Sequence, residues 1–116
     1  MKILIVDDEK DILSSLKMGL ERNGFQVYAY SEPLKALADF KPNTYDLLIL
    51  DSKMPNMRGF ELYREIRKKD ARVKVFILTA FEINSTDTRE FFPDLDVKNI
   101  IQKPVTLAQL IEKINA

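Results

Sequence analysis

The sequence predicts a doubly wound α/β domain, in which helices cover both faces of a parallel sheet. Three runs of consecutive apolar residues, 3–6, 47–50 and 75–78, are typical of parallel strands that are buried on both sides. Segments with apolar residues three and four positions apart separate these runs and indicate helices. Because strand and helix alternate along the chain, and such crossovers are right-handed, a parallel sheet with helices on both faces is expected.

The first half of the chain contains two predicted helices and a short strand between them. The first helix has apolar residues at helical spacing: Ile12, Leu13, Leu16 and Leu20. It ends at Asn23-Gly24, because glycine adopts the left-handed conformation of a helix C-terminus at low cost. Residues 25–30 form the strand. The second helix begins at Pro33 and ends before Pro42. Its apolar positions are Leu34, Leu37 and Phe40.

Three further helices are predicted in the second half. The third has its apolar face at Phe60, Leu62, Tyr63 and Ile66. The polar stretch of residues 67–70 follows it. A short, irregular fourth helix is expected within residues 82–98, because Pro93 interrupts the pattern. Thr106 and Gln109 form a capping-box pattern at the start of a fifth helix. The apolar residues of that helix are Leu107, Leu110, Ile111 and Ile114.

Length and composition restrict the possible functions. A chain of 116 residues with 46% hydrophobic content fits one domain, residues 1–116. The formal net charge of zero gives no indication of a nucleic-acid or membrane surface. The chain has no cysteine and no histidine, which excludes disulfides, thiolate metal sites and a histidine base. No run is long enough for a membrane span, and we expect a soluble cytoplasmic protein.

Reactive side chains follow four of the apolar runs. Asp7 and Asp8 come after the first run, Asp51 after 47–50, Thr79 after 75–78 and Lys103 after residues 100–102. In an open parallel sheet the carboxyl ends of the strands form one ligand-binding edge, so these side chains should meet there. Two carboxylates about 4 Å apart repel by roughly 4 kcal/mol at an effective dielectric constant near 20. The cluster therefore predicts a metal and phosphoryl site.

Four motifs carry a resemblance to a known family. LIVDDE, LLILDSKMP, ILTA and IIQKP, in this order across residues 4–104, resemble the receiver domain of two-component response regulators, of the kind found in chemotaxis regulators. The resemblance implies a flavodoxin-like (βα)5 fold with strand order 2-1-3-4-5. It also implies a function, which is to accept a phosphoryl group from a histidine kinase on Asp51 and then to switch partner or output interactions.

The resemblance assigns roles to the acidic residues. Asp51 is the phosphoacceptor, and a carboxylate at a strand end is able to attack phosphorus. A solvated loop aspartate is the alternative, which is disfavoured because an unpaired charge beside a buried strand is costly. Mg²⁺ prefers carboxylates, waters and phosphate oxygens. Asp8 is implied as the direct ligand, Asp7 as a ligand through water and Lys53 through its backbone carbonyl, and Asp51 is implied as a further metal-binding residue. The alternative for Asp8 is that it caps the first helix.

The remaining implied site residues act on the phosphoryl oxygens. Thr79 is implied as a hydrogen-bond donor and Lys103 as a cation, and the Lys103-Pro104 bond resembles the cis peptide of the family. Receiver domains usually have a tyrosine or phenylalanine where this chain has Ile100. Without that aromatic switch residue, we expect signalling to depend on reordering of residues 82–98.

Three alternative functions fit the sequence less well than a receiver domain. A degenerate receiver, acting as a constitutive protein-binding module, characteristically lacks the phosphoacceptor or a metal ligand, and here none is missing. A haloacid-dehalogenase-like phosphatase has Asp-x-Asp, whereas Lys53 occupies the second position. A nucleotide-binding domain needs a glycine-rich loop that is absent after Val6.

The receiver reading implies particular partners and a particular kind of catalysis. The expected partners are a sensor histidine kinase or phosphotransfer protein, and a downstream protein or an output domain outside this chain. The domain is expected as a monomer or a phosphorylation-dependent dimer. It would catalyse its own phosphorylation and dephosphorylation rather than act as a conventional enzyme.

Overall fold

Five parallel strands form one sheet in the order β2-β1-β3-β4-β5, which confirms the predicted topology. The computed structural model describes residues 1–54, 56–80, 92 and 94–116. Within these residues the elements are β1 (Lys2–Val6), α1 (Lys10–Arg22), β2 (Gln26–Tyr30), α2 (Pro33–Asp39), β3 (Leu47–Asp51), α3 (Gly59–Lys69), β4 (Lys74–Thr79), a 3₁₀ turn (Val97–Asn99), β5 (Ile100–Gln102) and α4 (Leu107–Asn115). None of the described helices is long and apolar enough to cross a membrane.

The core has two layers, one on each face of the sheet. Alternate residues of a strand point to opposite faces, so each continuous apolar run supplies both layers. Leu48 and Leu50 of β3 pack with α2 and α3, whereas Ile49 lies in the layer with α1 and α4. All three side chains are fully buried. This two-sided burial explains why the strands of this sheet are uniformly apolar.

Most of the predicted helix ends are observed. Gly24 has a φ of 91°, as expected for the residue that ends α1. At the start of α4, the Gln109 N–H donates to the Thr106 hydroxyl (3.1 Å) and the Thr106 N–H donates to the Gln109 side chain (2.9 Å), which confirms the capping box. Helix α3 extends to Lys69 and so includes most of the polar stretch that was expected to follow it.

Two details of the sequence interpretation are wrong. Leu34 lies on the exposed side of α2, where Ala36 is the residue that packs into the core. Asp8 does not cap α1, because the N-cap residue is Glu9 and no side chain caps this helix. The predicted irregular helix and the reordering segment, residues 82–98, lie largely outside the described residues. Phe92, within that segment, is described and is buried.

A buried carboxylate joins two loops at the edge of the sheet where the strands begin. The Asp70 side chain accepts hydrogen bonds from the backbone N–H groups of Asn43 (3.0 Å), Arg72 (3.0 Å) and Val73 (3.1 Å). These bonds, that from Asn43 foremost, hold the pKa of Asp70 below its ordinary value in spite of burial. Arg67 reinforces the turn by donating to the carbonyl groups of Asp70 and Val73. Asp70 therefore fixes the entrances to β3 and β4.

Candidate functional site

The opposite edge of the sheet brings together the reactive residues of the four motifs. Asp51 is the last residue of β3, and its register partner on β4 is Leu78, so Thr79 lies one residue further along the neighbouring strand. The Lys103 N–H donates to the Thr79 carbonyl oxygen (2.7 Å), which ties the residue after β5 to the end of β4. The Lys103-Pro104 peptide bond is cis, as the resemblance implied. Thr79 is itself buried.

Lys103 is the cation at this edge. Its ammonium nitrogen lies 3.1 Å from Asp51 Oδ1, 3.6 Å from Asp7 Oδ2 and 3.6 Å from Glu9 Oε1. The side chain is only 19% exposed, so these pairs are screened less than pairs on the open surface. Lys103 thus connects carboxylates that follow two different strands.

Three aspartates form a compact acidic group. One carboxylate oxygen from each of Asp7, Asp8 and Asp51 lies within 4.8 Å of the other two. Asp7 and Asp51 are buried and Asp8 is half-buried. Asp7 Oδ1 accepts a hydrogen bond from the Glu9 N–H (2.9 Å), whereas the buried Oδ2 accepts none from any described residue. The Lys103 ammonium group lies 3.6 Å from this oxygen without a hydrogen bond to it. A buried carboxylate oxygen of this kind, beside two other carboxylates, fits a small divalent cation, which takes several oxygen ligands.

The charges of the site perturb one another. Burial raises the pKa of Asp51 to about 6, and the nearby Asp7 carboxylate adds to the rise. Hydrogen bonds from Lys103 and from the Lys53 backbone offset this only in part. Burial likewise raises the pKa of Asp7, against the Glu9 N–H and Lys103. More negative charge is therefore held here than one ammonium group balances.

Lys103 itself responds to the excess negative charge. Burial disfavours its charged form, but Asp51, Asp7 and Glu9 outweigh burial and hold the pKa of Lys103 above its ordinary value. The ammonium group is therefore retained beside the carboxylates at neutral pH.

Two contributors to this edge were not predicted. Glu9 is the third acidic residue of LIVDDE, and only the folded chain shows that it reaches Lys103. Gly59, the first residue of α3, lies against the backbone of Asp51 and Ser52. Lys53 is exposed in the loop that follows β3, and the metal-binding role of its carbonyl stays a prediction.

The chain is similar to known proteins over nearly its whole length. A family model described as the response regulator receiver domain matches residues 3–115. PrrA of Mycobacterium tuberculosis, a transcriptional regulatory protein, is 32% identical over 115 residues, which are 99% of this chain and 48% of that protein. The chain spans about half the length of the curated relatives it matches.

Solved structures with the same fold include several with sequence identity above 30%. A CheY-like receiver domain from Methanospirillum hungatei superposes with a TM-score of 0.85 at 31% identity, covering 98% of this chain and 90% of that one. TrrA of Thermotoga maritima superposes with a TM-score of 0.76 at 33% identity, covering 98% and 96% of the two chains. The TrrA crystal structure is described as a complex with Mg²⁺ and BeF.

Proposed function

The chain belongs to the family of response regulator receiver domains, and from that premise we propose that it accepts a phosphoryl group on Asp51 in a Mg²⁺-dependent reaction. The observation that carries the proposal is the placement of one buried carboxylate between a cation and an acidic pair. Asp51 lies 3.1 Å from the Lys103 ammonium group, and one of its oxygens lies within 4.8 Å of oxygens of Asp7 and Asp8. This placement supports Asp51 as the nucleophile, Lys103 as its counter-charge and the aspartates as metal ligands, all at one edge of the sheet.

The proposed transfer is a displacement at phosphorus. A carboxylate oxygen of Asp51 attacks the phosphorus of a phosphohistidine or of acetyl phosphate, and a new P–O bond forms. The bond from phosphorus to the donor nitrogen or oxygen breaks, and its electron pair leaves with the donor. Asp51 has to be ionised to attack, and with a pKa of about 6 it is mostly ionised at pH 7. The product is an aspartyl phosphate.

Lys103 and Thr79 would stabilise the charge on the transferred group. The Lys103 ammonium group already lies against Asp51, so the entering phosphoryl oxygens would arrive beside a fixed positive charge. The Thr79 hydroxyl would donate a hydrogen bond to the same oxygens from the end of the neighbouring strand. Because phosphoryl transfer depends mainly on positioning and electrostatics, these two contacts supply much of what the protein contributes.

Mg²⁺ would be held by the acidic group. Receiver domains generally bind Mg²⁺ at an acidic pocket, and Asp7, Asp8 and Asp51 supply such a pocket here. We assign Asp8 and Asp51 as direct ligands, the Lys53 carbonyl as a further ligand and Asp7 as a ligand through water. When bound, the metal neutralises charge on the carboxylates and on the phosphoryl oxygens. The TrrA crystal structure, described as a complex with Mg²⁺ and BeF, supports a Mg²⁺ site in a protein of this fold.

Receiver domains interact with histidine kinases and output domains, and we propose the same for this one. The donor would be a sensor histidine kinase or a phosphotransfer protein. The phosphorylated form would act on a downstream protein or on an output domain outside these residues, as a monomer or as a phosphorylation-dependent dimer. Direct contact of these 116 residues with nucleic acid is not proposed, because the net charge is zero.

The test is intact-mass analysis of the domain incubated with acetyl phosphate. The parent should gain one phosphoryl group with Mg²⁺ and none with a chelator in its place, whereas Asp51→Asn should gain none in either case. Asp94→Asn, at an exposed position in the described chain, is the matched control and should be labelled like the parent. Undiminished labelling of Asp51→Asn contradicts the assignment of the phosphoacceptor. A parent that takes up no phosphoryl group supports the degenerate-receiver alternative.

A further inference from the structure

Helix α3 begins in contact with the backbone of the strand that carries Asp51. A Cβ atom built on Gly59 would lie 2.7 Å from Ser52 Cα and 3.1 Å from the Asp51 carbonyl carbon, and closer still to the Asp51 carbonyl oxygen. Real Cβ atoms essentially never approach other heavy atoms this closely. Because all three neighbours are backbone atoms, no side-chain rotation relieves the clash. Any larger residue at position 59 has to move the end of β3 or the start of α3.

Gly59 is needed for its size and not for an unusual backbone conformation. Among the described glycines, Gly24 alone has a positive φ, so alanine is compatible with the backbone angles at position 59. The Gly59 N–H also donates to the Ser52 carbonyl oxygen (3.1 Å), which closes the loop on itself. One turn into the helix, Glu61 accepts a hydrogen bond from the Arg58 N–H (3.0 Å). One hydrogen bond therefore joins the start of α3 to the end of β3, and a second holds the first turn of α3.

We propose that Gly59 is a positioning residue for phosphoryl transfer, a role that rests on the proposed function of Asp51. The Asp51 carbonyl group and the Asp51 carboxylate belong to one residue, so a shift of the backbone at Gly59 shifts the carboxylate as well. The Asp51 carboxylate already lies 3.1 Å from the Lys103 ammonium group and close to the carboxylates of Asp7 and Asp8. Close packing by a residue without a side chain keeps the nucleophile at that place.

The experiment compares Gly59→Ala with Gly19→Ala. The three atoms nearest to a Cβ atom on Gly19, within α1, all belong to the flexible side chain of Leu107. Gly19 is far from Asp51 in the sequence. Both variants should lose stability in urea unfolding without Mg²⁺. Labelling by acetyl phosphate should fall at least about tenfold in Gly59→Ala, because a misplacement of about 1 Å is able to cost about 100-fold in rate. Gly19→Ala should be labelled within about twofold of the parent rate, since additive effects are expected for distant sites.

A second readout reports the position of Asp51 without any transfer of phosphoryl groups. Backbone amide NMR shifts of residues 51–53, recorded without metal, should move in Gly59→Ala and stay in place in Gly19→Ala. The Mg²⁺ concentration that half-saturates the shift of Asp8 should rise in Gly59→Ala only. A general loss of packing would change both variants alike, so these two signals separate positioning from stability.

Each outcome decides the matter. Labelling, shifts and Mg²⁺ response of Gly59→Ala that match those of the parent overturn the proposal, while an unlabelled parent overturns the proposed function separately. If Gly59→Ala does not fold, Glu61→Ala takes its place, since it loosens the same helix start without adding an atom. Glu61→Ala should be labelled more slowly than Gly19→Ala, and a parent-like rate would falsify the role of this junction.

Discussion

Asp51 and Asp70 are both buried aspartates, at opposite edges of the same sheet, and their surroundings have opposite effects on them. Asp70 accepts three backbone hydrogen bonds, and its pKa is held below the ordinary value. Asp51 shares one ammonium group with Asp7, and its pKa is raised to about 6. The difference shows that the supply of hydrogen-bond donors, and not burial alone, decides whether the pKa of a carboxylate is raised or lowered.

The energetic consequence follows directly. Ionised Asp70 stabilises the fold, because its donors would otherwise be buried without an acceptor. Ionised Asp51 destabilises the metal-free fold, because its charge is removed from water and lies near other negative charges. The rest of the core therefore has to hold in place the reactive edge, by which we mean Asp7, Asp8, Asp51, Thr79 and Lys103. Replacing each aspartate with asparagine tests this comparison most directly.

The largest effect is expected at Asp70. Asp70→Asn keeps an oxygen for the N–H groups of Arg72 and Val73 but places an NH₂ group against the part-buried N–H of Asn43, which loses its acceptor. The free energy of unfolding should fall by about 2 kcal/mol, as for a buried donor left unpaired. Urea unfolding at pH 7 measures it, with the exposed Asp94→Asn as control, expected within about 0.5 kcal/mol of the parent. A loss of unfolding free energy no larger than that of the control would show that ionised Asp70 does not stabilise the fold.

The opposite sign is expected at Asp51. A folded-state pKa of about 6, compared with an ordinary value of 3.8, corresponds to at most about 3 kcal/mol of destabilisation at pH 7. Asp51→Asn also deprives Lys103 of a charged partner, so we expect a gain of about 1 to 2 kcal/mol without metal. Urea unfolding in a chelating buffer measures this gain. A variant less stable than the parent under these conditions would show that the Lys103 pair outweighs the burial of the charge.

The contributions of Asp51 and Asp70 to folding stability should also depend on pH in opposite directions. The pKa of Asp51 is raised, so the folded state loses stability as the pH rises from about 4 through about 6, and the gain in Asp51→Asn should disappear below about pH 4. The pKa of Asp70 is lowered, so its contribution is complete above the ordinary value of 3.8 and is lost as the pH falls below it.

Unfolding curves of the parent and both variants between pH 3 and 8 check these slopes. Asp70→Asn should show a shallower acid limb than the parent, and Asp51→Asn a flatter profile between pH 4 and 6. Parallel profiles for all three proteins would contradict the assigned directions of the pKa shifts.

The smallest effect is expected at Asp8, which is half-buried and better screened than its neighbours. Asp8→Asn should raise the metal-free melting temperature by a few degrees at most, equivalent to less than about 1 kcal/mol. Millimolar Mg²⁺ should raise the melting temperature of Asp8→Asn by less than it raises that of the parent, since a ligand that binds the folded state more weakly stabilises it less. Thermal melts with and without Mg²⁺ measure both. A melting temperature below that of the parent without metal would count against charge repulsion at this edge.

Much of the reactive edge was predictable because it depends on a local pattern. A buried parallel strand is continuous and apolar, so the first charged residue after it, such as Asp7 or Asp51, marks where the strand ends. Parallel strands place all such ends at one edge, which brings Lys103 to Asp51 without any further information. The capping box at Thr106 was equally local and was observed.

The features that escaped prediction depend on distant contacts. In the sequence, Asp70 is one residue of a polar stretch. Its structural role depends on the hydrogen bond from the N–H of Asn43, 27 residues earlier. Glu9 pairs with Lys103 across the finished sheet. Leu34 and Ala36 both fit an apolar helix, and only the packing of α2 decides which of them is buried. The Gly59 contact was invisible for the same reason, because the sequence does not show how closely two backbones approach.

The register of the sheet has a kinetic consequence. Ile3 of β1 pairs with Leu47 of β3, and Ile77 of β4 with Ile100 of β5, so each pairing closes a long stretch of chain. Such non-local pairings form slowly, because chain entropy is lost before the contacts form. The reactive edge draws on residues from Asp7 to Lys103 and is complete only after the last strand has joined. On the proposed function, a nascent or partly refolded chain would therefore not react with a phosphodonor, and only molecules that have finished folding would be phosphorylated.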